Sequence, residues 1–165
     1  MRPILAAALR LTLGLWVGGI AIFTFLLTPA IFHHYPREEA GRIVGVLFPL
    51  YFPYLTALSV AALLLYGLLR RDRWRAAHGL ALVLLLGAVA ANGYNQLWVH
   101  PQSRAVKAKI HAGAELPPDN PLRREFARLH GVSMALNLSV LAGGAVLLLG
   151  GPLWWREKNR SHGFG

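Results

Sequence analysis

The sequence predicts an all-α protein, a polytopic membrane four-helix bundle whose third and fourth helices extend outside the membrane. Three observations predict it. The 165-residue chain is 55% hydrophobic and only 15% charged, against about 25% charged in soluble domains. Residues 11–35, 43–69, 76–102 and 129–155 contain no Asp, Glu, Lys or Arg, and each stretch exceeds the ~20 apolar residues that cross a bilayer core of about 30 Å. The basic residues, which give a formal net charge of +10, fall in the gaps between these stretches. That is a membrane-protein pattern; a nucleic-acid surface would gather them along one stripe.

The runs are too long for the short alternating segments of a membrane barrel, and they are rich in Leu and Ala, which suits helix. The first follows Arg2 and Arg10. It is longer than the apolar core of a signal peptide and lacks a small-residue cleavage site, so it is read as the first span. The second carries Phe48-Pro49-Leu50-Tyr51-Phe52-Pro53-Tyr54, whose prolines free backbone carbonyls of the preceding turns. The third is expected to continue past a kink at Pro101 into residues 103–112. The fourth starts at Asp119-Asn120-Pro121, where a capping side chain precedes Pro in the first turn. Nothing breaks it before Gly150-Gly151-Pro152, which makes one helix about 45 Å long. Glu115-Leu116-Pro117-Pro118 is the turn between these last two helices. Residues 1–158 form one transmembrane domain, and residues 159–165 a polar tail expected to be disordered.

Orientation follows from the flanking charges. The side holding the termini carries nine Lys and Arg in short segments, including the dense run Arg70, Arg71, Arg73 and Arg75; the other side carries eight, spread over a longer connection and mixed with acids. Both termini are therefore assigned to the cytoplasm. Trp74, Trp154 and Trp155 then mark the cytoplasmic interface, and Trp98 with Tyr35 the outer one. Gly14 with Gly18, and Gly143 with Gly144, are small-residue steps that let helices approach closely, within one chain or in a homodimer.

Polar residues inside spans normally face other helices. Asn92, Gln96 and His100 recur at i, i+4, i+8; His130, Ser133 and Asn137 at i, i+3, i+7; Thr24, Thr28 and His33-His34 close the first span. His33, Asn92, Gln96, His130 and Asn137 are thus candidates for a ligand pocket toward the non-cytoplasmic side. Asn and Gln there serve equally well as interhelical hydrogen-bond partners. Imidazole binds copper, zinc and haem iron, so His33, His100 and His130 are metal candidates, and His100 and His130 could ligate haem. Phosphate-loop, zinc-protease and serine-hydrolase signatures are absent, as is any carboxylate within a span, so the balance is against an enzyme. The partners implied are the lipid bilayer, a protein at the 101–128 hairpin if the chain is a scaffold, and no nucleic acid.

Gly19-Ile20-Ala21-Ile22-Phe23, Pro29-Ala30-Ile31-Phe32, Ala40-Gly41, Val46-Leu47-Phe48-Pro49-Leu50-Tyr51-Phe52 and Leu129-His130-Gly131-Val132-Ser133 with Asn137-Leu138 resemble the four-span family around eukaryotic transmembrane protein 205. Its bacterial members are labelled as a domain of unknown function. The resemblance implies a membrane protein with no settled activity. The association of the eukaryotic namesake with platinum resistance implies metal handling. More distantly the layout is similar to the copper resistance D protein and to a haem-holding membrane protoporphyrinogen oxidase. Reporter fusions after Arg73 and after Glu115 are expected to read cytoplasmic and non-cytoplasmic locations respectively; the reverse pattern would overturn the orientation.

Overall fold

The computed structural model describes residues 1–70, 76–112, 117 and 119–150. Among these residues there are only helices and their connections. Helix α1 spans Arg2–His34 and helix α2 spans Arg37–Arg70. Helix α3 is α-helical over Ala76–Tyr94, a π turn over Asn95–Val99, and α-helical again over His100–Ala112. Helix α4 is Pro121–Leu149. Each is long and apolar enough to cross a membrane, and α3 runs on to Ala112 and α4 starts at Pro121, both beyond the charge-free stretches 76–102 and 129–155, as the sequence predicts. The expected turn at 115–118 and the polar tail fall outside the described residues, apart from Pro117, whose carbonyl accepts from Asn120 N at 3.1 Å. Asn120 caps α4 as expected, its Oδ1 accepting from Leu122 N at 2.9 Å.

Each helix packs on its sequence neighbours, and α4 closes the ring on α1. This is the arrangement short connections favour. The stripe Leu9, Leu13, Trp16 and Ile20 of α1 is fully buried against Leu55 and Ala62 of α2, Ala81 and Leu85 of α3, and Val140 and Leu147 of α4, in one continuous core. Side chains facing away from the ring, such as Val46, Leu50 and Leu97, are exposed. Lipid tails are as apolar as these residues, so the ring is held by close packing and interhelical polar bonds. The outer hairpin has a second seam of its own, in which Val99, Val106 and Ile110 of α3 meet Leu122, Phe126 and Leu129 of α4. Lys107 also ties the hairpin to α2, its Nζ donating to Gly41 O at 2.9 Å.

Two π turns interrupt the spans, Ile22–Leu27 in α1 and Asn95–Val99 in α3. Each lies just before a proline, Pro29 or Pro101. Proline lacks the N–H for the carbonyl four residues back, and its ring crowds that carbonyl; here Phe25 and Leu97 are those residues. Widening the turn by one residue relieves the crowding. The break expected at Pro101 therefore takes the form of a π turn, whereas α2 carries Pro49 and Pro53 inside one continuous helix.

The glycines divide by what they face. A Cβ on Gly144 would lie 2.9 Å from Val17 Cγ2, and one on Gly19 would lie 2.9 Å from the Tyr54 ring; Gly14 and Gly18 have nothing within 4 Å. Gly143–Gly144 therefore serves the packing within the chain that the sequence suggests, and the Gly14–Gly18 step does not. Gly144→Ala is expected to lower stability by about 1–3 kcal/mol through overpacking against α1. Gly14→Ala should leave stability unchanged or slightly raise it. Thermal unfolding of both variants in detergent checks the contrast.

Candidate functional site

Four helices contribute polar side chains to one layer of the bundle. Tyr51 on α2 donates from its hydroxyl to Asn137 Oδ1 on α4 at 2.9 Å. The Asn137 amide then donates to Thr24 Oγ1 on α1 at 3.1 Å. One amide therefore joins three helices. Phe23, next to Thr24 in the π turn, stacks on the Tyr51 ring with centroids 4.1 Å apart, which fixes the phenol's direction.

Helix α3 is fastened to α2 by its amide stripe. Asn92 is buried, and its Nδ2 lies 3.4 Å from Leu55 O. Thr56 Oγ1 lies 2.8 Å from Gln96 Oε1 and 2.9 Å from its own helix carbonyl, Phe52 O. One hydroxyl proton serves one of these contacts; with the Gln96 amide turned over, its Nε2 would donate to Thr56 and satisfy both. A turn further out, His100 meets the rings of Phe52 and Phe48, with centroids at 5.2 and 5.5 Å. Asn92, Gln96 and His100 thus all face α2. The π turn directs Asn95 elsewhere, with its Nδ2 3.4 Å from Ser133 O on α4.

Three buried side-chain polar atoms lack a hydrogen-bond partner among the described residues: Trp16 Nε1, Asn95 Oδ1 and His100 Nε2. Trp16 belongs to the apolar core. The other two lie on the same stretch of α3, beside the layer. A buried unsatisfied polar group costs about 1–3 kcal/mol.

The remaining sequence candidates lie elsewhere. His33 is exposed at the end of α1, beside His34, nine residues or about 13 Å beyond Thr24. His130 is exposed and stacks on Phe126 of its own helix, with ring centroids 6.2 Å apart. The layer brings together Asn92, Gln96, Asn137 and His100, and leaves out His33 and His130. Among the described residues, no group of three His, Cys, Asp or Glu side chains could hold a metal ion, so His33, His100 and His130 do not form a shared metal cage. Tyr51, Thr56 and Asn95 are site residues that spacing alone did not single out. Tyr51 sits in the proline-flanked run of α2, and Thr56 and Asn95 lie within four residues of Phe52 and Asn92, which is the only sequence signal for them.

A closed ring of long apolar helices around a hydrogen-bonded polar layer defines an integral, multi-pass membrane protein. The model of a family described as a domain of unknown function, DUF4149, matches residues 11–112, and the chain belongs to that family. It is also 33% identical over 151 residues to an uncharacterized protein of Aquifex aeolicus (strain VF5), a match that covers 90% of this chain and 97% of that one. No solved structure matches it significantly.

The bonds from α3 to α2 have a measurable worth. Asn92→Leu and Gln96→Leu are each expected to destabilise the bundle by about 0.6–1.7 kcal/mol, whereas His33→Leu, outside the layer, should change stability by less than about 0.5 kcal/mol. Denaturant unfolding in detergent micelles measures all three.

Proposed function

We propose that this membrane protein binds a small polar ligand at the rim of its polar layer, on the non-cytoplasmic side, with both termini in the cytoplasm. One observation carries the reading: among the described residues, His100 Nε2 is buried without a hydrogen-bond partner against the edge of the stacked Phe48–Phe52 pair, next to a π turn in which Asn95 Oδ1 is also unpartnered. Native proteins leave few buried polar atoms unpaired, and π turns are enriched at functional sites. A ligand carrying a hydrogen-bond donor would satisfy His100 Nε2 in the tautomer protonated at Nδ1. Aromatic walls with a few convergent polar groups are the ordinary chemistry of a small-molecule site. Asn92, Gln96 and Asn137, already bonded to α2 and α1, then serve as the frame that holds His100 in place. The metal handling and haem binding that the family resemblance implies fit this residue set less well, since it offers one inward-facing imidazole where a metal cage needs several donors.

Native mass spectrometry, metal analysis and a visible spectrum on one detergent-purified sample test the proposal. The wild-type protein is expected to carry a small bound species in stoichiometric amount, to lose it in His100→Leu, and to keep it in His34→Ala, whose imidazole bonds its own helix at Ala30 O. A Soret band or a stoichiometric metal that disappears in His100→Leu would keep the site and replace the polar molecule with haem or metal. A protein that carries nothing, or the same species in all three forms, contradicts the proposal.

A further inference from the structure

Outside the polar layer, the unexplained chemistry lies in the basic residues at the hairpin end. Arg124 and Arg128 are one turn apart on the same face of α4, and both are exposed. Among the described residues neither has a carboxylate partner; the ion pair at this end joins Arg42 to Glu39, at 3.8 Å. Packing within the hairpin fixes their depth. Asn95 meets Ser133 O across the antiparallel helices, so four residues further out Leu129, next to Arg128, stands level with Val99, next to Trp98, in the shared seam, and the exposed Trp98 is of the type that marks a membrane interface. Arg124 lies four residues further out, about 6 Å. The headgroup zone beyond the hydrocarbon core is roughly 5–8 Å thick on each side, so both guanidinium groups stand at the depth of lipid phosphates. Below them on α4, Gly131, Val132, Ala135 and Ser139 are exposed and continue the same face into the acyl region.

We propose that Arg124 and Arg128 bind the phosphate of an anionic phospholipid in the leaflet on the hairpin side, with an acyl chain lying along the lipid-facing surface of α4. The charge complementarity is specific. Guanidinium forks match phosphate oxygens in bidentate geometry, and two cations one turn apart, neither ion-paired among the described residues although Glu125 lies beside them, favour a headgroup of net negative charge over a zwitterionic one.

The test is native mass spectrometry of the full-length protein in detergent supplemented with phosphatidylglycerol or phosphatidylcholine. Wild-type protein is expected to retain phosphatidylglycerol preferentially. The double variant Arg124→Gln/Arg128→Gln should bind it about thirtyfold more weakly, at roughly fivefold per arginine. Arg124→Lys/Arg128→Lys should recover most of the preference, and Arg42→Gln should keep it in full. Equal retention of the two lipids by wild-type protein, or unchanged phosphatidylglycerol binding in the double glutamine variant, would overturn the proposal. So would displacement of the lipid by millimolar inorganic phosphate, which would mark a site for free anions, or a shift of the double variant from dimer to monomer, which would mark the face as a contact between copies.

Discussion

The amide of Asn137 is the interaction on which the rest of the bundle depends. It accepts from Tyr51 and donates to Thr24, so one side chain fixes α4 against both α2 and α1. In a bilayer, apolar helices gain nothing from leaving lipid for one another, and rotation about a helix axis exchanges one greasy face for another at little cost. A polar bond of defined direction removes that freedom. Once Asn137 has set the rotation of α4, Gly144 is placed against Val17 and Trp16, and Leu129 against the hairpin seam. The Phe23–Tyr51 stack acts the same way on α1.

The prolines make the layer possible. Thr24, Asn95 and Gln96 all lie in π turns, and both π turns precede a proline. A π turn advances the helix face by one residue, so it can bring a side chain inward that a regular helix would direct elsewhere. In α3 this lets Gln96 face α2 while its neighbour Asn95 faces α4. In and next to this turn, Asn95 Oδ1 and His100 Nε2 are buried without partners among the described residues. A helix stretch selected only for packing would have apolar residues there, which is why this rim, and not the well-bonded centre of the layer, supports the functional proposal.

Much of this could be read directly from the residues. Charge-free length gives the four helices, Asp119-Asn120-Pro121 gives the capped start of α4, and the spacing of Asn92, Gln96 and His100 gives a single face, which does meet α2. The same spacing argument grouped His130 with Ser133 and Asn137 and failed for a physical reason. Leu129 and Leu136 take the inward direction of α4 at that depth, leaving His130 exposed. The role of Ser133 belongs to its carbonyl, which residue type cannot reveal. Periodicity also could not tell Gly14 and Gly18, which face open space, from Gly19 and Gly144, which carry close contacts. Which glycine meets a neighbour depends on helix rotation, and that is set by bonds between residues as distant in sequence as Thr24 and Asn137. The π turns leave composition unchanged and are hinted at only by Pro29 and Pro101. The interfacial role assigned to Trp74, Trp154 and Trp155 falls outside the described residues.

The most direct test of the account is a double-mutant cycle pairing Tyr51→Phe with Asn137→Leu, read by reversible unfolding in detergent or bicelles. If Asn137 is the junction, Tyr51→Phe should cost about 0.6–1.7 kcal/mol in the wild-type background and close to nothing in Asn137→Leu, a coupling of that same size. Additive losses, with Tyr51→Phe costing the same in both backgrounds, would show that the hydroxyl and the amide act independently and would contradict the polar layer as the element that sets the bundle's register.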